Sequence, residues 1–256
     1  MDWLFLQNPY KNLPLYLNIF FYFSMKKYCL LLVLIPLFSL SQTNFEKAEK
    51  LFNQEKYALA KPLFENELKY SPNTIKTIEY LGDISVHLNN LDKAISYYQM
   101  LIKLKPKEAN YYYKYGGALG LKSQAGGKWV AIRLIGDMKD AFEKALSLKP
   151  NHLEARWALI EYYLQVPGLF GGSEKKAQNY ANQLMTFSPI DGYLARGKID
   201  EYFERSKSAE NNYLKAIYIG GSKTTYDRLI ALYKVKLLQS EKAIKVIEEY
   251  QEKNKS

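Results

Sequence analysis

The chain is almost without cysteine: Cys29 is the single thiol in 256 residues. That excludes a disulfide framework. With only His87 and His152 to supply imidazoles, no Cys/His spacing is suited to a metal site either. The catalytic motifs are missing as well. H-E-x-x-H, G-x-S-x-G, C-x-x-C and G-x-x-x-x-G-K-[ST] do not occur, so there is no zincin helix, nucleophile elbow, dithiol or phosphate loop. Paired acids such as Glu248 and Glu249 are chain neighbours, which do not share a helix face and so make no acid/base pair by spacing. The expectation is a protein that is not an enzyme and uses no metal or cofactor. Clustered charge of one sign is also scarce. The net charge is +10, from 36 Lys and Arg against 26 Asp and Glu, but the signs interleave, as in Glu46-Lys47-Ala48-Glu49-Lys50. A spread charge of this kind marks solvated helix faces and argues against a nucleic-acid partner.

Long apolar runs are confined to the first 40 residues. Met25-Lys26-Lys27 precedes 13 apolar residues, Tyr28 to Leu40, and Ser39 and Ser41 place small residues before Gln42. This is the layout of a secretory signal peptide, and the run falls short of the roughly 20 residues of a spanning helix. Residues 25–41 are therefore read as a signal. Residues 1–24, with their own apolar stretch Leu15 to Phe23, are read as an artefact of the start site. The expected location is exported, in the periplasm; the alternative is an N-terminus left uncleaved as a membrane anchor.

The remainder, 42–256, repeats itself. Pro72 and Pro106 lie 34 residues apart, as do Ala60 and Ala94, Phe64 and Tyr98, and Ala209 and Ala243. One unit shows the logic: Leu81-Gly82 in a first helix, Ala94, Tyr98 and Leu101 in a second, then Pro106. Small residues let two helices approach, an aromatic fills the gap to the next unit, and proline ends it. Later units carry Gly116 with Phe142 and Pro150; Leu159 with Ala177, Ala181 and Pro189; Gly197 with Ala209 and Tyr213; and Ile230-Ala231 with Ala243 and Ile247.

The period and these positions resemble the tetratricopeptide repeat. The resemblance implies an all-α, right-handed solenoid of about six helix-turn-helix units, near 41–74, 75–108, 109–152, 153–189, 190–223 and 224–256. The stretch 158–177, with its P…GGS…KA element, is similar to a subset of bacterial repeat proteins and, through them, to the regulators of microtubule dynamics. That resemblance implies no enzymatic activity.

Two insertions interrupt the period. The first, 121–137, lengthens its unit by ten residues and carries Lys122, Lys128, Trp129 and Arg133. Those four form a candidate basic, aromatic contact patch; the plainer reading is a lengthened hairpin with Trp129 buried. The second, 166–173, adds five residues, with Pro167 expected to stop one helix and Ser173 to cap the next.

In the family, first helices line a groove that takes peptides. The matching positions here are Lys76, Glu79, Asp83 and Val86; Asn110, Tyr113, Gly117 and Gly120; Glu154, Trp157, Glu161 and Leu164; and Asp191, Leu194, Lys198 and Glu201. The resemblance thus implies a protein or peptide partner, held in a mixed groove through Tyr113 or Trp157. The acids Glu79 and Asp83 stand where a carboxylate clamp would need cations. The alternative is a membrane- or cell-wall-associated accessory subunit that uses the basic insertion 121–137. The apolar face of the last helix, with Ala243, Ile244, Val246, Ile247 and Tyr250, is a candidate for self-association.

Overall fold

The computed structural model describes residues 44–254, all helix and turn, with no strand among them. The signal-like segment, the start-site residues and Cys29 lie outside that range. Two compact units divide the chain, one ending at Pro72 and one beginning at Asn73.

In the first unit, α1 (44–53) pairs with α2 (Tyr57–Tyr70). Ala48, Ala60 and Phe64 are fully buried, and Phe45 meets Phe64 edge-on with ring centroids 5.5 Å apart.

The second unit stacks five helix pairs: α3 (Ile75–His87) with α4 (Leu91–Leu104), α5 (Ala109–Ala125) with α6 (Gly127–Leu148), α7 (Leu153–Gln165) with α8 (Glu174–Phe187), α9 (Pro189–Tyr202) with α10 (Ser206–Gly220), and α11 (Lys223–Ala231) with α12 (Ser240–Lys253). Each crossing matches a small residue to a large one. An added Cβ on Gly82 would sit 2.6 Å from the ring of Tyr98, on Gly116 2.7 Å from Phe142, and on Gly197 2.4 Å from Tyr213. In α7 and α8 the sizes are exchanged: Ile160 stands at the glycine position and Ala181 at the aromatic one, both fully buried in one core cluster. Interior packing is dense, so volume is conserved at the crossing even where identity is not.

Prolines punctuate the stack in two ways. Pro106 and Pro150 each lie two residues beyond a helix end, followed by the next helix three residues later. Pro189 departs from the expectation that it ends its unit: it opens α9 at the first helical position, behind Ser188, whose hydroxyl accepts from the Asp191 N–H. Proline suits that position because its missing N–H has no helical partner there. The linker between α8 and α9 shrinks to Ser188 alone.

The turns inside the units recur as well. Glu55, Asn89, Glu204 and Leu238 all take positive φ, between 54° and 59°, each two residues before its second helix begins. The two insertions occupy this same turn in the other two units. One is spanned by Gly126 and Gly127, and the other by a 3-10 turn (Gly168–Phe170) closed by Gly171 at φ 103°.

The last unit departs from the expected register. Ile230 is only half-buried and Ala231 is exposed; Tyr226, Leu229, Leu232 and Tyr233 make the core with Ala243 instead. Tyr226, Leu229 and Tyr233 recur at helical spacing on one face, and a π-helical turn at Leu232–Lys236 follows α11.

Candidate functional site

First helices of neighbouring units touch one another, α5 with α7 and α7 with α9, so they line the inner side of the stack in the second unit. The polar residues expected to read a partner are there, but they are engaged with each other. Lys114 on α5 donates to Glu79 Oε1 at 2.7 Å and to both oxygens of Asp83 on α3, at 2.8 and 2.7 Å. Asp83 also accepts from the Tyr98 hydroxyl at 2.7 Å. Burial works to lower the Lys114 pKa, but Asp83 and Glu79 outweigh it and hold the ammonium charged. Further along, Lys198 on α9 pairs with Glu161 on α7, and Glu201 accepts from the buried Tyr213 hydroxyl at 2.7 Å. Lys76 lies 6.0 Å from the Tyr80 ring centroid. The sequence missed Lys114, which lies one residue past the expected groove position Tyr113; the roughly one-repeat spacing of 31 and 35 residues to its acids was the available signal.

The aromatic candidates are packing groups. Trp157 is half-buried, touches two core clusters, and donates its indole N–H to Asp191 at 2.9 Å, 34 residues on. Tyr113 packs on Phe142 and on His152, with centroids 6.2 and 5.3 Å apart. His152 is itself 5% exposed and caps α7 by accepting from the Ala155 N–H through Nδ1. The same Nδ1 lies 3.0 Å from a Glu154 carboxylate oxygen, which favours the proton, but burial outweighs it and lowers the His152 pKa. The expected groove positions Leu164 and Leu194 are buried, at 4% and 7% exposure, because they face neighbouring helices.

What the inner side leaves open is an apolar cleft of about 520 Å³ between α5, α6 and α7. Gly117 and Gly120 form its floor; Ile135, Met138, Phe142, Ala158, Val166 and Pro167 supply carbon walls; Ser123, Gln124, Gln165 and the paired Glu161 edge it. A Cβ on Gly117 would meet nothing within 4 Å, so the floor is open space. Gly116 beside it is the crossing glycine, so the Gly-Gly pair serves packing on one side and the cleft on the other.

The insertion residues do not form one patch. Lys122 pairs with Asp92 at the neighbouring turn. Lys128, Trp129 and Arg133 stand on the exposed first turns of α6, and Trp129 is 80% exposed, contrary to the buried reading. The hairpin is lengthened as expected, but its added turns run past what neighbouring helices cover. The second insertion behaves as the sequence predicts: α7 ends before Pro167, and the Ser173 hydroxyl accepts from the Lys176 N–H to cap α8. On α12, Ala243 is buried and Val246 and Tyr250 pack inward, leaving Ile244 at 52% exposure beside a turn with Val235 and Leu238 exposed.

No protein-family model and no curated protein sequence matches the chain. Solved structures do. A thermophilic tetratricopeptide-repeat protein of Thermus thermophilus, TTC0263, superposes with a TM-score of 0.60 at 18% identity, covering 77% of this chain and 99% of that one. A tetratricopeptide-repeat protein of Parabacteroides merdae gives 0.58 at 14% identity, covering 82% and 78%. MamA of Desulfovibrio magneticus RS-1 gives 0.56 at 14%, covering 72% and 96%. The chain has the fold of a tetratricopeptide-repeat protein, an all-helical repeat solenoid.

Proposed function

We propose that the protein is a non-catalytic scaffold that binds a polypeptide on the inner face of its solenoid, in the cell envelope or after export. The location rests on the signal-like layout of residues 25–41. The recognition reading rests on one observation, the glycine-floored apolar cleft between α5, α6 and α7. Since the neighbouring charges Glu79, Asp83, Lys114, Glu161 and Lys198 are paired internally, affinity comes from an apolar side chain of the partner seated above Gly117. Flanking polar groups set its orientation. A segment with one or two large apolar anchors, helical or extended, fits this chemistry; a terminal carboxylate does not, because no cation faces the cleft.

Selection of a displayed library of linear peptides on the immobilised full chain tests this. Recovered peptides are expected to carry an apolar anchor and to lose binding to Gly117→Leu, a variant whose melting temperature is held or raised. Failure to recover any peptide, or undiminished binding by Gly117→Leu, overturns the reading. Self-association through the exposed Val235, Leu238 and Ile244 is a separate reading. Light scattering checks it, and a monomer at all concentrations sinks it.

A further inference from the structure

The two insertions fill equivalent turns of adjacent units and face each other across the cleft mouth. Leu121, Ser123 and Gln124 on α5 and Ala131 and Ile135 on α6 line one wall, while Gln165, Val166 and Pro167 line the other. Each insertion also holds a large apolar side chain out in water: Trp129 at 80% exposure and Leu169 at 90%. Phe170 adds a further 39%.

The Leu169 turn is held firmly. Phe170 N–H donates to Pro167 O at 2.8 Å, Gly171 N–H to Gly168 O at 3.0 Å, Gly172 N–H to Pro167 O at 3.2 Å and Ser173 N–H to Tyr163 O at 2.9 Å. Gly172 has no room for a side chain, its Cβ position lying 1.7 Å from Val166 O. The backbone is satisfied from within, and the leucine is presented at no further ordering cost.

The charge around these tips has one sign. Lys128 and Arg133 on α6 and Lys175 at the start of α8 are exposed and pair with no carboxylate among the described residues. The acids nearby are turned away or occupied: Asp92 by Lys122, Glu174 by Arg205, while Asp137 lines a separate hollow toward α4. A rigid edge with an exposed Trp, an exposed Leu and unpaired cations has the composition of an interfacial membrane contact. Indole sits at the headgroup level, an aliphatic tip enters the acyl boundary, and cations meet anionic lipid.

We propose that this edge, led by Trp129 and Leu169, docks on the surface of an anionic lipid bilayer without crossing it. No described helix is long and apolar enough to span a membrane. The contact is independent of the peptide cleft's occupant.

The test must separate this edge from the apolar N-terminal residues of the full chain, so it reads a local probe. In a Cys29→Ser background, Leu169→Cys carries an environment-sensitive fluorophore. Tyr218→Cys, at a site 92% exposed on α10, carries the same label as control. Vesicles of phosphatidylcholine with phosphatidylglycerol are titrated against pure phosphatidylcholine. The expected result is a blue shift and gain in intensity at position 169 with anionic vesicles only, and no change at 218. Lys128→Gln and Arg133→Gln should each weaken the partition coefficient about fivefold, an effect lost at high salt. Trp129→Ser should remove the shift. A silent label at 169 while the protein co-sediments with vesicles, or equal shifts at 169 and 218, overturns the proposal.

Discussion

The unit of α3 and α4 and the unit of α5 and α6 share one crossing and differ in nearly everything else. Both press a glycine against an aromatic ring, Gly82 on Tyr98 and Gly116 on Phe142. The first is closed by the second: Lys114 of α5 ties its inner acids, and its turn is a single left-handed Asn89. The second adds a glycine at 117 that touches nothing and extends its hairpin into solvent. Regular units are satisfied by their neighbours, and open apolar space remains where the repeat is irregular. In a stack whose stability is a nearest-neighbour sum, a site can be opened in one unit without unravelling the rest.

The comparison breaks most visibly at the glycines. Gly82→Leu should cost about 1–3 kcal/mol by overpacking against Tyr98. Gly117→Leu should cost nothing and gain up to about 1 kcal/mol from helix propensity. Thermal denaturation of the two variants decides, and equal losses would mean that 117 is a packing position after all. Lys114→Met should come next, with a loss of about 1–2 kcal/mol, since it strips two partly buried carboxylates of their charged donor. Thermal denaturation reads that loss, and a melting temperature held by Lys114→Met would remove these ion pairs from the account.

A smaller effect follows from His152. Burial depresses its folded pKa below the unfolded value, so the unfolded chain takes up the proton first. Stability from this group is therefore full above about pH 6.5 and declines as pH falls below that. His152→Asn keeps a capping side chain and should flatten the melting temperature between pH 7 and pH 5; an unchanged slope would place the dependence elsewhere. Smallest of all, Leu238→Gly should stabilise by up to about 1 kcal/mol by relieving positive φ. Urea denaturation would detect it, and a loss would mean that the exposed leucine has contacts of its own.

The fold was legible in the sequence because its period is written in residue size. Gly82, Ala94, Tyr98 and Pro106 recur in kind, and size at a helix crossing is what packing selects. The cleft was half legible: Gly117 and Gly120 stood at groove positions, but Met138 and Val166 come from the lengthened hairpin and the inserted loop, whose folding the period does not set. Charge pairing was not legible, since Glu79 reads the same whether it faces a ligand or Lys114. Trp129 was misjudged because an apolar residue in an amphipathic helix is buried only if a neighbour reaches it. Pro189 has the same identity as Pro106 and the opposite role, decided by where Ser188 can cap a helix.

The turns inside the helix pairs have a consequence for how such a chain can vary over generations. Four keep a single left-handed residue, and the two enlarged ones were altered at that same joint. Residues added there change the rim and leave the glycine-on-aromatic crossings in place. Descendants of this sequence can therefore acquire, exchange or lose an edge while inheriting the same stack, and divergence among them should concentrate at the joints.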